Sequence, residues 1–189
     1  MPILTLVAGP NGSGKSTITA SLLLKGRENL VDPDAIARQI DPEDPLRASV
    51  SAGREAIHRC RGYIDEQCDF ILESTLAGNW AVNLLRQAKA AGFRIIFIYV
   101  ALENADLNIE RVRRRVAEGG HDVPDADIRR RYVRSMEQCV EALKLADEAI
   151  LIDNSHSNSR RIATVMDAKL IWEATELPAW AKKILLDLR

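Results

Sequence analysis

Eight residues near the start constrain this chain more than any others: Gly9-Pro10-Asn11-Gly12-Ser13-Gly14-Lys15-Ser16. They fit the pattern G-x-x-x-x-G-K-[ST], whose glycines let backbone N–H groups turn inward around a polyphosphate. The flanks supply the context that the pattern needs. Ile3 to Ala8 is a short apolar run rich in β-formers, as a buried parallel strand should be. Beyond Ser16, Ile18, Leu22 and Leu23 recur at helical spacing. A strand, an anion-cradling turn and a helix follow in that order. Lys15 is placed to meet the β- and γ-phosphates as a point charge, and the Ser16 hydroxyl is the expected Mg²⁺ ligand. Thr17 completes the nucleotide-contacting run.

With 189 residues the chain is predicted to form one α/β domain. Its 26 basic side chains balance 27 acidic ones, so no net field argues for nucleic acid or a membrane surface. Cys60, Cys68 and Cys139 are odd in number and lack C-x-x-C spacing, as reduced thiols of a cytoplasmic protein would be. No run reaches transmembrane length, and the first strand leaves no room for a signal peptide, so the expected location is the cytoplasm.

Further along, polar residues fall at the C-terminal ends of apolar segments, the edge where open α/β sheets bind ligands. Asn29 to Asp32 reads as a second strand ended by Pro33, with Asp34 opening a helix. Two readings of Asp34 stand together: a helix N-cap, or a carboxylate that accepts a proton from an attacking hydroxyl. Asp32 competes for the second role, although strand alternation would direct it into the packing layer. Leu46 to Gln67 is predicted as a long helix burying Val50, Ile57, Tyr63 and Ile64, with Arg54 and Glu55 readable as solvated. Asp69 to Thr75 is a third strand whose Glu73 is costly to bury unless paired or near a metal. A helix from Gly78-Asn79 to Gly92 follows, then Phe93 to Val100, hydrophobic enough for the sheet centre.

Between about 111 and 134 lie two arginine-rich helices around Gly119-Gly120, with His121 read as hinge structure rather than a base. Arg111 and Arg115, four apart, share a helix face and can address one anion. Three readings compete: a solvated charged face, a nucleic-acid patch, and a lid that closes arginines over transferring phosphates. Balanced charge and the lack of interleaved aromatics count against nucleic acid. Glu148 to Asp153 is another strand, and Asn154 after it is placed for nucleotide contacts. Residues 160 to 172 read as β-segments, and Leu177 to Leu188 as a capping helix with Trp180 inward.

Taken in order, GPNGSGKST, VDPDAIA, AGRE, LESTLAG, RVRRRVAEGGHDVPDADIRRRYVRS and ADEAILIDNS resemble the zeta-toxin and UDP-N-acetylglucosamine kinase family, in its small bacterial branch. The resemblance runs from residue 3 to about 155. It implies a three-layer P-loop kinase fold, of nucleoside-monophosphate-kinase type, with a mainly parallel sheet and an arginine lid. It also implies transfer from ATP or GTP, with Mg²⁺, to a hydroxyl of a small molecule such as a nucleotide sugar. Asp34 would be the base, and Arg54, Glu73 and Thr75 would lie on the substrate side with it. Arg115 and Arg130 or Arg131 would meet phosphates. Where a member is a toxin, an antitoxin protein is the implied partner. A P-loop ATPase doing conformational work is the alternative, but the LSGGQ signature and a strand ending Asp-Glu are missing from the sequence. A nucleotide-binding module without catalysis is the other.

Overall fold

The computed structural model describes residues 1–120 and 122–188, without the side chain of Asp187. His121 lies outside the described residues, so the hinge reading of it has no structural counterpart here.

Strand β1 (Ile3–Ala8) leads through the glycine-rich turn into helix α1 (Lys15–Ser21). Strand β2 (Leu30–Val31) precedes helices α2 (Pro33–Ile40) and α3 (Ser49–Asp65), and β3 (Phe70–Ser74) precedes α4 (Asn79–Ala90). Strand β4 (Arg94–Ala101) is followed by α5 (Ala105–Ala117) and α6 (Asp125–Leu145). Strands β5 (Glu148–Asp153), β6 (Arg160–Met166) and β7 (Lys169–Glu173) and helix α7 (Ala179–Leu185) complete the order.

The seven strands form one sheet in the order β2-β3-β1-β4-β5-β6-β7. The first five are parallel, whereas β6 and β7 join antiparallel as a hairpin. Strand β4 is the middle of the seven, as its hydrophobicity predicts. In β1, alternation divides the side chains between two cores: Leu4, Leu6 and Ala8 enter the large core under α3, α4, α6 and α7, and Val7 joins a smaller one with Ile18 of α1. Helices therefore cover both faces, unequally. Register sets the functional edge: Val7 pairs with Glu73 and Ile98, so β1 and β3 end at one level and β4 runs two residues beyond them. No described helix is long and apolar enough to cross a membrane.

Two helical expectations need correction. Helix α3 buries Ala52, Ala56, Cys60 and Ile64, while Val50 is 65% exposed. Small side chains at every fourth position form the contact stripe, letting the helix approach closely; volume, not hydrophobicity alone, selects the face. Helix α1 ends at Ser21, leaving Leu22 in extended backbone and Leu23 fully exposed.

Candidate functional site

At the strand ends lies a cleft of about 770 Å³. The turn after β1 forms its floor. Gly12 and Gly14 have φ of +76° and +94°, a region that a Cβ strains. Space is equally restrictive: a Cβ on Gly12 would lie 2.7 Å from the Asn108 carbonyl oxygen, and one on Gly14 would lie 2.4 Å from Asn154 Nδ2. Of the motif's other members, Ser13 is fully buried, and Gly9 and Pro10 offer carbonyls to Lys15 Nζ at 2.8 and 3.1 Å. Burial pushes the Lys15 ammonium below its usual pKa, against the opposing pull of Asp34, Glu73 and Asp32.

The acidic wall comes from two strand ends. Glu73 is 4% exposed, and its Oε2 accepts from Ser16 Oγ at 2.8 Å. Past it, the chain turns through Leu76, buried at φ +54° and held by its N–H donating to Ser74 Oγ. That left-handed turn brings Thr75, Ala77 and Gly78 to the cleft. On α2 the N-cap is Asp32, not Asp34: Asp32 Oδ1 accepts from the Asp34 N–H at 2.9 Å, with Pro33 as the first helical residue. Asp32 therefore faces the cleft instead of the packing layer, because its side chain bends back to cap. Burial, then Asp34 and Glu73, raise its carboxyl above the usual range. Asp34 lies in the first turn, exposed and lining the same cleft.

The arginines separate into two groups. Arg111, Arg115 and Arg131 line the cleft. Arg111 donates to the Asn154 carbonyl at 2.6 Å, and Arg131 Nη1 to Asn11 Oδ1 at 3.2 Å. Arg130 does not line it; it pairs with Asp127 at 2.9 Å, one turn back on α6. Arg54 is also away from the lining, on the exposed side of α3. Asn154 contacts the loop rather than open cleft, its Nδ2 donating to the Ser13 carbonyl at 2.8 Å.

Four further residues escape the sequence reading. Arg38, Ser49 and Trp80 line the cleft, and Asn108, fully buried on α5, donates to the Asn11 carbonyl at 2.6 Å. A signal existed for Arg38, four residues after Asp34 on one helix face, and for Trp80, two after the glycine that opens α4. For Asn108 there was none.

The donor set is compatible with Mg²⁺. Ser16 Oγ and Glu73 Oε2 are hard oxygens already adjacent, and no group of three or more His, Cys, Asp or Glu that could cage a metal exists among the described residues. Magnesium typically takes few protein ligands and completes its shell with phosphate and water.

Strand order 2-3-1-4-5, the glycine turn after the first strand and a cationic wall facing an acidic one define a P-loop nucleotide-binding domain with a kinase-like fold. The chain belongs to the AAA domain family, whose profile matches residues 4–139. An uncharacterized protein of Haemophilus influenzae is 36% identical over 124 residues, 66% of this chain and 88% of the relative. Among solved structures, the AvrRxo1-ORF1:ORF2 complex with ATP superposes with a TM-score of 0.71 at 13% identity, over 97% of this chain and 63% of that one. A structure of the PezAT chromosomal toxin–antitoxin system of Streptococcus pneumoniae gives 0.60 at 14% identity, over all of this chain and 78% of that one. At such identities the likeness is one of fold. The chain thus spans less than two thirds of the AvrRxo1 length.

Proposed function

We propose that this chain, acting as a single P-loop domain, is a Mg²⁺-dependent kinase. It transfers the γ-phosphoryl group of ATP or GTP to a hydroxyl of a small molecule, a nucleotide sugar of the UDP-N-acetylglucosamine kind, as the resemblance to zeta toxins suggests. The observation that carries the reading is the gathering, in one cleft, of Lys15, Arg111, Arg115 and Arg131 with the exposed Asp34 carboxylate. A site for hydrolysis alone has no need of an acceptor half, and Arg38, Ser49 and Trp80, which line the same cleft, are the residues assigned to one in this reading.

In this scheme the loop amides and Lys15 hold the polyphosphate, and Ser16 with Glu73 would hold Mg²⁺, which would supply charge neutralisation on the phosphates. Asp34 orients the acceptor hydroxyl and takes its proton. The acceptor oxygen bonds to γ-phosphorus as the bond to the β–γ bridging oxygen breaks, and the nucleoside diphosphate leaves with that electron pair. Arg115 and Arg131 meet charge developing on the transferring group.

Asp34→Asn keeps size while removing charge and basicity. It should leave ATP affinity within a few-fold and slow acceptor phosphorylation by roughly 10²–10⁴-fold. The assay is transfer from Mg·ATP to a panel of nucleotide sugars with products weighed by mass spectrometry. Normal turnover by Asp34→Asn with an inactive Asp32→Asn moves the base to Asp32; normal turnover by both overturns the mechanism. ATP consumption that no acceptor accelerates, with no phosphorylated product, overturns the kinase reading. An antitoxin partner belongs to the same proposal, by analogy with PezAT, and is tested by co-purification with the product of an adjacent reading frame.

A further inference from the structure

Helix α5 grips the phosphate loop through one buried amide, a contact whose use rests on the proposal that the loop binds a nucleotide. Asn108 is fully buried on the helix that carries Arg111 and Arg115. Its Nδ2 donates to the Asn11 carbonyl at 2.6 Å. Its own backbone carbonyl occupies the space that a side chain on Gly12 would need, 2.7 Å from the ideal Cβ. Its Oδ1, also buried, finds no hydrogen-bond partner among the described residues. Retaining a buried amide with one half unsatisfied is costly, because the orphaned oxygen has given up its water for nothing. Leucine would remove the orphaned oxygen but leave the buried Asn11 carbonyl without its donor, so the amide is kept for the bond that it gives to the loop.

Peptide geometry indicates that purpose. In a trans peptide the C=O and N–H point in opposite directions. Drawing the Asn11 carbonyl toward α5 therefore turns the Gly12 N–H the other way, at a residue that lines the cleft. From α6, Arg131 takes hold of the same residue through Asn11 Oδ1. One loop residue is thus held by both arginine-bearing helices.

We propose that Asn108 is a positioning residue that couples the phosphate loop to the arginine helix. Seating a polyphosphate on the Gly12 amide fixes the Asn11–Gly12 peptide, and that peptide fixes α5 through Asn108. Arg111 and Arg115 are then registered on the phosphates by the same event that binds them. Lid order follows occupancy of the loop, not the identity of the acceptor.

Two variants separate coupling from stability. Asn108→Leu fills the volume without the orphaned oxygen, and Asn108→Asp is isosteric but puts an acceptor where the donor was. Both are compared with the parent by hydrogen exchange, with and without saturating Mg·ATP, while melting temperature is followed alongside. In the parent, Mg·ATP should slow exchange in residues 9–16 and in 105–117. In either variant the loop should keep its protection while the α5 segment loses most of its gain. A kinetic cycle provides the second readout. Arg115→Ala should lower phosphate release from Mg·ATP by roughly 10²-fold in the parent, but by less than about 3-fold in the Asn108→Leu background. A merely structural Asn108 would shift melting temperature and leave both couplings intact, and equal α5 protection in parent and variants overturns the proposal. If Asn108→Leu is too unstable to measure, the Asp variant decides by the same criteria. A parent chain that binds no Mg·ATP overturns the nucleotide reading and this inference with it; binding with unchanged coupling overturns this inference alone.

Discussion

Replacing Gly14 by alanine tests the loop's architecture with a magnitude that the geometry sets. Gly14 stands at φ +94°, ψ 20°, a left-handed conformation that costs an alanine about 1–2 kcal/mol. The new methyl would also lie 2.4 Å from Asn154 Nδ2, well inside contact distance. The amide can swing clear only by giving up its 2.8 Å bond to the Ser13 carbonyl, a further loss of about 1 kcal/mol. A total of about 2–3 kcal/mol corresponds, for a chain this long, to a melting temperature lower by about 5–10 °C. Asn154→Ala alone should cost only the bond, about 1 kcal/mol. In the double variant that bond is lost once, so the two penalties should fall short of additivity by about the same amount. Thermal unfolding of the four proteins at one pH provides the cycle. Full additivity, or an unperturbed Gly14→Ala, refutes the clasp. The same variants show which partner Asn154 serves. A residue that braces the loop weakens ATP and inorganic tripolyphosphate by equal factors when removed, whereas one that reads the base weakens only ATP.

Three other outcomes are expected of the site. Lys15→Ala should abolish tight Mg·ATP binding in calorimetry while the fold survives, because the lysine's hydrogen bonds among the described residues go to its own loop's carbonyls; parental affinity would refute the assignment. Arg131→Ala should lower kcat by roughly 10²-fold and Arg130→Ala should not, since only Arg131 lines the cleft while Arg130 pairs with Asp127; the reverse ranking would place the lid arginine one residue earlier. Asp32 predicts a pH effect on stability. Its folded pKa is raised, so the native state holds the proton more tightly than the unfolded chain and stability falls as pH rises through the window just above 3.8. Asp32→Asn, which keeps a cap of equal quality, should remove that segment of the stability–pH curve and leave the protein at least as stable at neutral pH. An unchanged curve would show that the carboxyl is not shifted.

The strands and the phosphate loop were legible because their signals are local. The Gly9–Ser16 pattern needs only its own residues, and an apolar run such as Phe93–Val100 announces a central strand without reference to its neighbours. What failed to register depends on contacts between segments far apart in sequence. Asn108 reaches Asn11 across 97 positions, and Asn154 reaches Ser13 across 141. Arg130 and Arg131 are indistinguishable in a run of three arginines; the rotation of α6, set by its buried Ile128, Ser135 and Cys139, decides which faces the cleft. Asp32 misled for a different reason. Strand alternation is sound for a strand, but Leu30–Val31 is two residues long, and capping geometry takes over at Asp32.

The hairpin β6–β7 gives the chain a dependence that its phosphate-binding consensus conceals. Arg160, at the start of β6, donates to the buried carboxylate of Asp153, whose other oxygen accepts from Ser155. Between them Asn154 emerges to clasp the loop that begins with Gly9, and Arg111 fastens to the Asn154 carbonyl. Asp153, Asn154, Ser155 and Arg160 all lie beyond residue 139, where the family match stops. A fragment ending after α6 would carry every residue of the glycine motif and every cleft-lining arginine, yet lack the buttress that keeps them in register. The closing quarter of the chain is in this sense the foundation of its opening turn, and domain boundaries drawn for expression from the family match alone would remove it.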